Sequence, residues 1–191
     1  MINSWTRTAF SIVFCGALPA AAASLPRGAA ATVNGRPILD SDLRREEESA
    51  LEDRRGALDR LIDLELLVQQ AAREHLVVRA RELDVAVDAV KARFKTGDDG
   101  RAVDDATADR SFSAELKKQG LDLAQFRRNL ERQLLARAVI QRDVRAGAPD
   151  PTEQDIEAGR NPDAAVQRKY DEYVKTLRDK AVIERRRPDH S

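Results

Sequence analysis

The chain has 191 residues, of which 42% are hydrophobic, 35% charged and 4% aromatic, enough for one domain with a real core. Lysine plus arginine equals aspartate plus glutamate at 33 each, so the totals describe no polyanion-binding surface and no nucleic-acid partner is expected. High charge combined with abundant Ala, Leu and Arg favours long helices washed by solvent.

The first stretch reads differently from the rest. Met1 to Arg7 carries one positive charge, Thr8 to Leu18 is an apolar run, and Ala20 to Ala23 offers an A-x-A cleavage site. This is the layout of a secretory signal peptide, with an apolar run too short to span a bilayer as a mature helix. The single cysteine, Cys15, follows Phe14, which does not fit the small residue that a lipoprotein signal requires. Cleavage after Ala23 would leave no cysteine, hence neither a disulfide framework nor a thiolate metal site. No later apolar run is long enough for a membrane span. The expectation is an exported, periplasmic and soluble product: residues 1–23 a signal peptide, 24–184 a single domain, and 185–191 a disordered basic tail.

Leu25 to Ala31 reads as a small-residue linker. Asn34-Gly35 between two short β-prone pieces is the strongest local hairpin signal, and Pro37, lacking an amide donor, places the second piece at a sheet edge. Asp40, Ser41 and Asp42 supply an N-cap and negative charge for a helix running to about Arg54. Leu43, Ala50 and Leu51 are its only apolar anchors. Gly56 is expected to mark the join to the next helix.

The stretch from Leu58 to Glu74 organises the chain. It carries Leu58, Leu61, Ile62, Leu64, Leu66, Leu67 and Val68 without Gly or Pro, and these positions exceed one helical stripe. A helix apolar most of the way round is a buried one, with other elements packed on several sides. Burial of these large side chains contributes roughly 10–20 kcal/mol before entropy is subtracted.

Leu83, Val87, Val90 and Phe94 then form a single helical stripe. Lys95 to Asp109 reads as a loop. Its Asp98-Asp99-Gly100 invites a calcium reading, but Lys95 and Gly97 occupy positions where an EF-hand needs oxygen ligands, so a solvated turn is the better account. Ser111 or Ser113 is expected to cap a short helix ending at Gly120. Asp122 with Gln125 resembles a capping box opening a helix to about Arg145, with Leu123, Phe126, Leu130, Leu134 and Ala138 on one face and Leu135 and Val139 beside it. Gly147 to Pro151 stops it. Thr152 starts a brief helical piece, and Asn161-Pro162 opens a last helix packed through Val166, Tyr170, Tyr173, Val174 and Leu177. Ala181 to Glu184 reads as a short strand.

Little catalytic chemistry is available. The two histidines, His75 and His190, stand in no spacing that builds a metal site or a nucleophile–base pair. No phosphate-binding or nucleophile-elbow string occurs. His75 reads as a helix-terminal residue favoured by the dipole, and carboxylate pairs on helix surfaces carry no signal. No cofactor and no metal are expected.

The order of pieces nonetheless resembles a known family. VNGRPI before a capped helix, then LDRLIDLELLVQQAAREH, a stripe helix, and FSAELKKQGLDLAQFRRNLERQLLARAVI resemble the N-terminal domain of the SurA and PrsA family of exported foldases. The terminal YVKTLRDKAVIE is similar to that family's closing helix and strand. The resemblance covers about Ala31 to Glu184. It implies a mainly α fold, with a small β pairing between the N-terminal and C-terminal strands. Family members usually carry parvulin-type prolyl isomerase modules before the closing helix. Here the stretch from Asp155-Ile156-Glu157 to Tyr170 is far shorter than the roughly 50 residues a domain needs.

The leading expectation is therefore a non-catalytic, chaperone-like module that binds unfolded or extended polypeptides, envelope or outer-membrane proteins among them. Phe94, Phe112, Phe126, Tyr170 and Tyr173 are its candidate contact residues, each weighed against a plain core role. The alternatives are a dedicated helical adaptor docking onto one envelope secretion or polysaccharide-export assembly, and an isomerase relative by homology alone.

Overall fold

The computed structural model describes residues 25–50, 53–96, 101–146 and 162–186. The leader, the Asp98-Asp99-Gly100 turn, the stop from Gly147, the piece from Thr152, the Asn161 cap and residues 187–191 lie outside them.

A three-stranded antiparallel sheet joins the two ends of the chain. Strand β1 (Ala29–Val33) lies between β2 (Arg36–Leu39) and β3 (Ile183–Arg185). β1 is buried along its whole length. Its run of small and β-branched residues suits a strand covered on both faces, so the strand begins at Ala29, inside the stretch to Ala31 that was expected to be linker. Asn34 and Gly35 both have positive φ, 51° and 79°, as a type I′ hairpin turn requires. Pro37 pairs with Thr32 on the edge strand, where its missing N–H leaves no ladder bond open. On the other side Thr32 faces Glu184 and Val33 faces Ile183, and the Thr32 hydroxyl donates to Glu184 Oε2 at 3.1 Å. Arg185 belongs to β3, and the Arg186 amide donates to the Ala30 carbonyl at 2.9 Å. Order therefore extends two residues past the expected limit at 184.

Helix α1 (Asp40–Ala50) is held to the core through Leu43, fully buried in a small cluster with Ala30 and Ala57. Helix α2 (Arg54–Arg73) is the central strut, packed on α1, β1, the fifth helix and the last helix. It starts earlier than the apolar run suggests. Asp53 is the N-cap, its carboxylate accepting from the Gly56 amide at 2.7 Å, so Gly56 sits in the first turn and is not the join. Ile62, Leu66, Leu67 and Ala71 are buried, and Leu58, Leu61 and Leu64 are half-buried beside them. The helix ends in a Schellman motif: the His75 and Leu76 amides donate to the carbonyls of Ala72 and Ala71, and His75 adopts φ 56°. His75 thus occupies the left-handed position of that motif, and Leu76 packs onto the core as its apolar partner.

Helix α3 (Ala80–Lys91) runs into a short 3-10 turn ending at Phe94. Helix α4 (Asp105–Lys118) is capped by Asp104, whose carboxylate accepts from the Thr107 amide at 2.8 Å. The same bond holds the Asp104 carboxyl below its ordinary value. The acid at 104 captures the first free amides, so the helix starts well before the serines expected to cap it. At the other end Gly120 takes φ 66° and the Leu121 amide reaches the Leu116 carbonyl, a second Schellman turn. The expected capping box of Asp122 and Gln125 opens helix α5 (Leu123–Val139), with reciprocal bonds of 2.6 and 2.9 Å. A π-helical segment, Ile140–Arg145, continues it. Helix α6 (Pro162–Asp179) buries Val174 and Leu177 before the chain enters β3. The chain is thus mainly α, with its first and last strands paired.

Candidate functional site

A cleft of about 430 Å³ lies over α2, between α1 and α5. Its apolar lining comes from Leu61 and Leu64 of α2, Leu121, and Phe126 and Leu130 of α5. Asp42, Arg45, Glu46, Glu48 and Ser49 form the α1 wall, and Asn129, Arg132 and Gln133 the α5 wall. Local sequence positions each side. The positive φ at Gly120 and the Asp122 cap aim Leu121 and Phe126, while Arg132 is anchored from beneath. Its guanidinium donates to Glu65 Oε2 at 2.7 Å, and Glu65 is only 3% exposed. A buried carboxylate needs such a partner. Its other oxygen accepts from Gln69 at 2.8 Å, and Gln69 also donates to the Val33 carbonyl at 2.9 Å. The floor of the cleft is thereby tied to the sheet.

A second hollow of about 360 Å³ adjoins the cleft where α3, α4 and α5 meet. Phe112, Leu116, Leu121 and Leu123 line it, with Lys91, Lys117 and Asp109 at its edge. Leu121 belongs to both hollows, so apolar surface runs from one to the other around the start of α5.

The structure divides the five candidate aromatics into two groups. Phe94, Phe112 and Phe126 form an edge-to-face ladder, with centroids 5.6 Å apart for the first pair and 5.3 Å for the second. Phe112, 3% exposed, is the enclosed middle ring, and the Lys91 ammonium lies 5.7 Å from its centroid. Phe126 is half-buried and reaches the cleft. Tyr170 and Tyr173 pack on the main core from α6 and line neither hollow. Burial raises the pKa of both phenols. The Tyr173 hydroxyl donates to Asp143 Oδ2 at 2.6 Å, within a cluster where Arg142 also contacts Glu74 and Asp143. The Arg142 guanidinium holds the Asp143 carboxyl below its ordinary value.

Leu61, Leu64, Leu121, Leu130, Asn129 and Gln133 line the cleft without having been among the candidate contact residues, Leu130 having been read only as part of the packed stripe of its helix. The signal for the first two was the excess width of the α2 apolar band. Leu121 was marked only by its place after Gly120, and nothing local marks the two amides.

The last helix and β3 are clamped to α2 by a second charged cluster. Arg178 Nε lies 2.6 Å from Asp63 Oδ1, and Arg185 Nη2 lies 2.6 Å from Asp59 Oδ1. Burial raises the Asp63 pKa despite that partner, and the bond to Asp63 raises that of Arg178. Among the described residues no group of His, Cys, Asp and Glu could hold a metal ion. No helix among them is long and apolar enough to cross a membrane.

No curated protein matches the chain. Of the solved structures similar to it, one matches over 69% of this chain and 48% of the other, at 24% identity and a TM-score of 0.42. It comes from work on the virulence factor PEB4 and the periplasmic protein Cj1289 of Campylobacter jejuni, described as two structurally related SurA-like chaperones. This chain thus spans about half the length of that one. The sequence model of the SurA-like N-terminal domain matches residues 8–140, well over half of the chain. By that match the chain belongs to the family of SurA-like N-terminal domains.

Proposed function

We propose that the protein is an exported, periplasmic chaperone module that holds unfolded or extended polypeptide segments and catalyses no reaction. The observation that carries the reading is the cleft between α1 and α5: a leucine and phenylalanine floor between two walls of charged and amide side chains. A floor of this kind takes bulky apolar side chains from an unfolded segment without asking for a fixed sequence, while the polar walls keep the complex in solution. Its size falls within the range of ligand-binding hollows. The adjoining hollow lengthens the track. Phe126, Leu64 and Leu130 are the contact residues that follow from this geometry, with Phe94 and Phe112 supporting Phe126 from behind. Tyr170 and Tyr173 serve the packing of α6.

Light scattering from a reduced, aggregating client tests the reading. The wild-type chain should suppress aggregation at stoichiometric ratio. Leu130→Glu, at a half-buried cleft position, should lose most of that suppression while the helical circular dichroism is retained. Absence of suppression by the wild-type chain overturns the proposal. Crosslinking in the exported compartment separates it from a dedicated adaptor, which would capture one partner and not many.

A further inference from the structure

We infer that the segment held in the cleft is one in which a lysine or arginine stands next to a bulky apolar side chain. This rests on the reading of the cleft as a polypeptide site and adds a preferred charge to it. Two cations line the cleft, and both are engaged. Arg45 Nη2 lies 2.8 Å from Asp42 Oδ1, and Arg132 Nη2 lies 2.7 Å from Glu65 Oε2. Of the remaining carboxylates on the α1 wall, Glu46 faces Arg60 at 3.3 Å. Glu48 is exposed and has no ion-pair or hydrogen-bond partner among the described residues. A cation brought by the ligand therefore meets an uncompensated carboxylate, whereas an anion finds no guanidinium that is not already shared. The apolar floor beside Glu48 keeps water away on one side, which strengthens the attraction relative to an open surface.

The opposite wall makes no such choice. Asn129 and Gln133 stand four residues apart, about one turn of α5, and neither has a hydrogen-bond partner among the described residues. A side-chain amide is both donor and acceptor, so it satisfies the backbone groups of an extended segment whatever its side chains. One wall holds backbone, and the other sets the sign of the charge beside the apolar anchor.

Fluorescence anisotropy of the full chain with three short labelled peptides tests this. The peptides share one Trp-Leu core, flanked by lysine, by serine or by glutamate. The lysine peptide should bind about two- to fivefold tighter than the serine peptide at low salt, as a partly exposed charge pair allows. The glutamate peptide should bind more weakly than either. The advantage of lysine should vanish in Glu48→Gln and shrink in high salt. Equal binding of the lysine and serine peptides, or an advantage that survives in Glu48→Gln, overturns the charge preference and leaves the cleft as a polypeptide site. Binding of none of the three overturns the polypeptide site itself and the preference with it.

Discussion

Asn34 is the smallest change that should reopen the two ends of the chain. Its side chain joins three elements: Nδ2 donates to Gln69 Oε1 on α2 at 2.7 Å, and Oδ1 accepts from the Val182 amide at 2.8 Å. Its own amide donates to the Val182 carbonyl at 2.8 Å, and its φ of 51° is left-handed. Because Asn34 is exposed, each side-chain bond is worth the low end of the usual range, about 0.5–1 kcal/mol, or about 1–2 kcal/mol together. Asn34→Gly removes those bonds and adds about 0.4–1 kcal/mol of unfolded-chain entropy, a total of about 1.4–3 kcal/mol. Asn34→Ala removes the same bonds and must hold alanine in the left-handed region at about 1–2 kcal/mol, a total of roughly 2–4 kcal/mol. For a chain of this length each kcal/mol moves the midpoint by about 2–4 °C. Thermal unfolding followed by circular dichroism should therefore rank wild type above Asn34→Gly above Asn34→Ala, with the Ala variant lowered by about 4–16 °C. Hydrogen exchange at the Val182 and Arg186 amides should quicken in both variants. An Ala variant within 0.5 kcal/mol of wild type, or one as stable as the Gly variant, would refute the clasp and the left-handed backbone beneath it.

Leu66→Ala, at a position fully buried against the sheet and α5, should cost about 2–5 kcal/mol in urea unfolding, whereas a loss under 1 kcal/mol would mean that α2 is not central. Asp122→Ala breaks the capping box of α5 and should cost about 1 kcal/mol. Measured by the same unfolding curves, it should also loosen Leu121 and weaken polypeptide binding. Asp143 has a folded pKa below its ordinary 3.8, so the stability it contributes is present above about pH 3.8 and is lost as pH falls through the lower folded value. Asp143→Asn should accordingly flatten the acid limb of the midpoint against pH. An acid limb identical to that of wild type would show that the Arg142 contact is not kept in solution.

Much of this fold was legible because local chemistry and global packing agree. Asn34-Gly35 needs positive φ at both positions, Pro37 needs an edge, and Asp122 with Gln125 needs a helix start; each found its place. The start of α4 was missed because two serines inside the helix compete as signals with Asp104, and only geometry shows which oxygen reaches the first amides. The packed side of α5 was legible only in part. Phe126 and Leu130 lie on the cleft as one stripe, but Leu123 and Ala138 are exposed, and the core contact passes to Ala136 and to Leu135 and Val139, the two residues expected beside that stripe. A single stripe cannot report which of two neighbours it faces. Glu65 was invisible for a related reason. Its burial depends on Arg132, 67 residues away, and no local window contains both.

The cleft itself follows from a mismatch between α1 and α2. α2 offers an apolar band wider than one neighbour can cover, with Leu61 and Leu64 on its flank. A helix with a matching stripe would close over them, since burying two leucines contributes several kcal/mol. α1 has no such stripe. After Leu43 its sequence is Arg44, Arg45, Glu46, Glu47, Glu48, so its apolar contact with α2 is made by Leu43 against Ala57, with Leu58 and Leu61 beside them, and ion pairs such as Glu46–Arg60 and Glu47–Arg54 make the rest; its charged side chains cannot descend onto leucine without losing water. The charges that prevent closure are the ones left facing the hollow. Giving α1 apolar residues in place of Arg45, Glu46 and Ser49 should raise the unfolding midpoint and abolish suppression of client aggregation together, because one surface cannot both complete the core and remain open to a ligand.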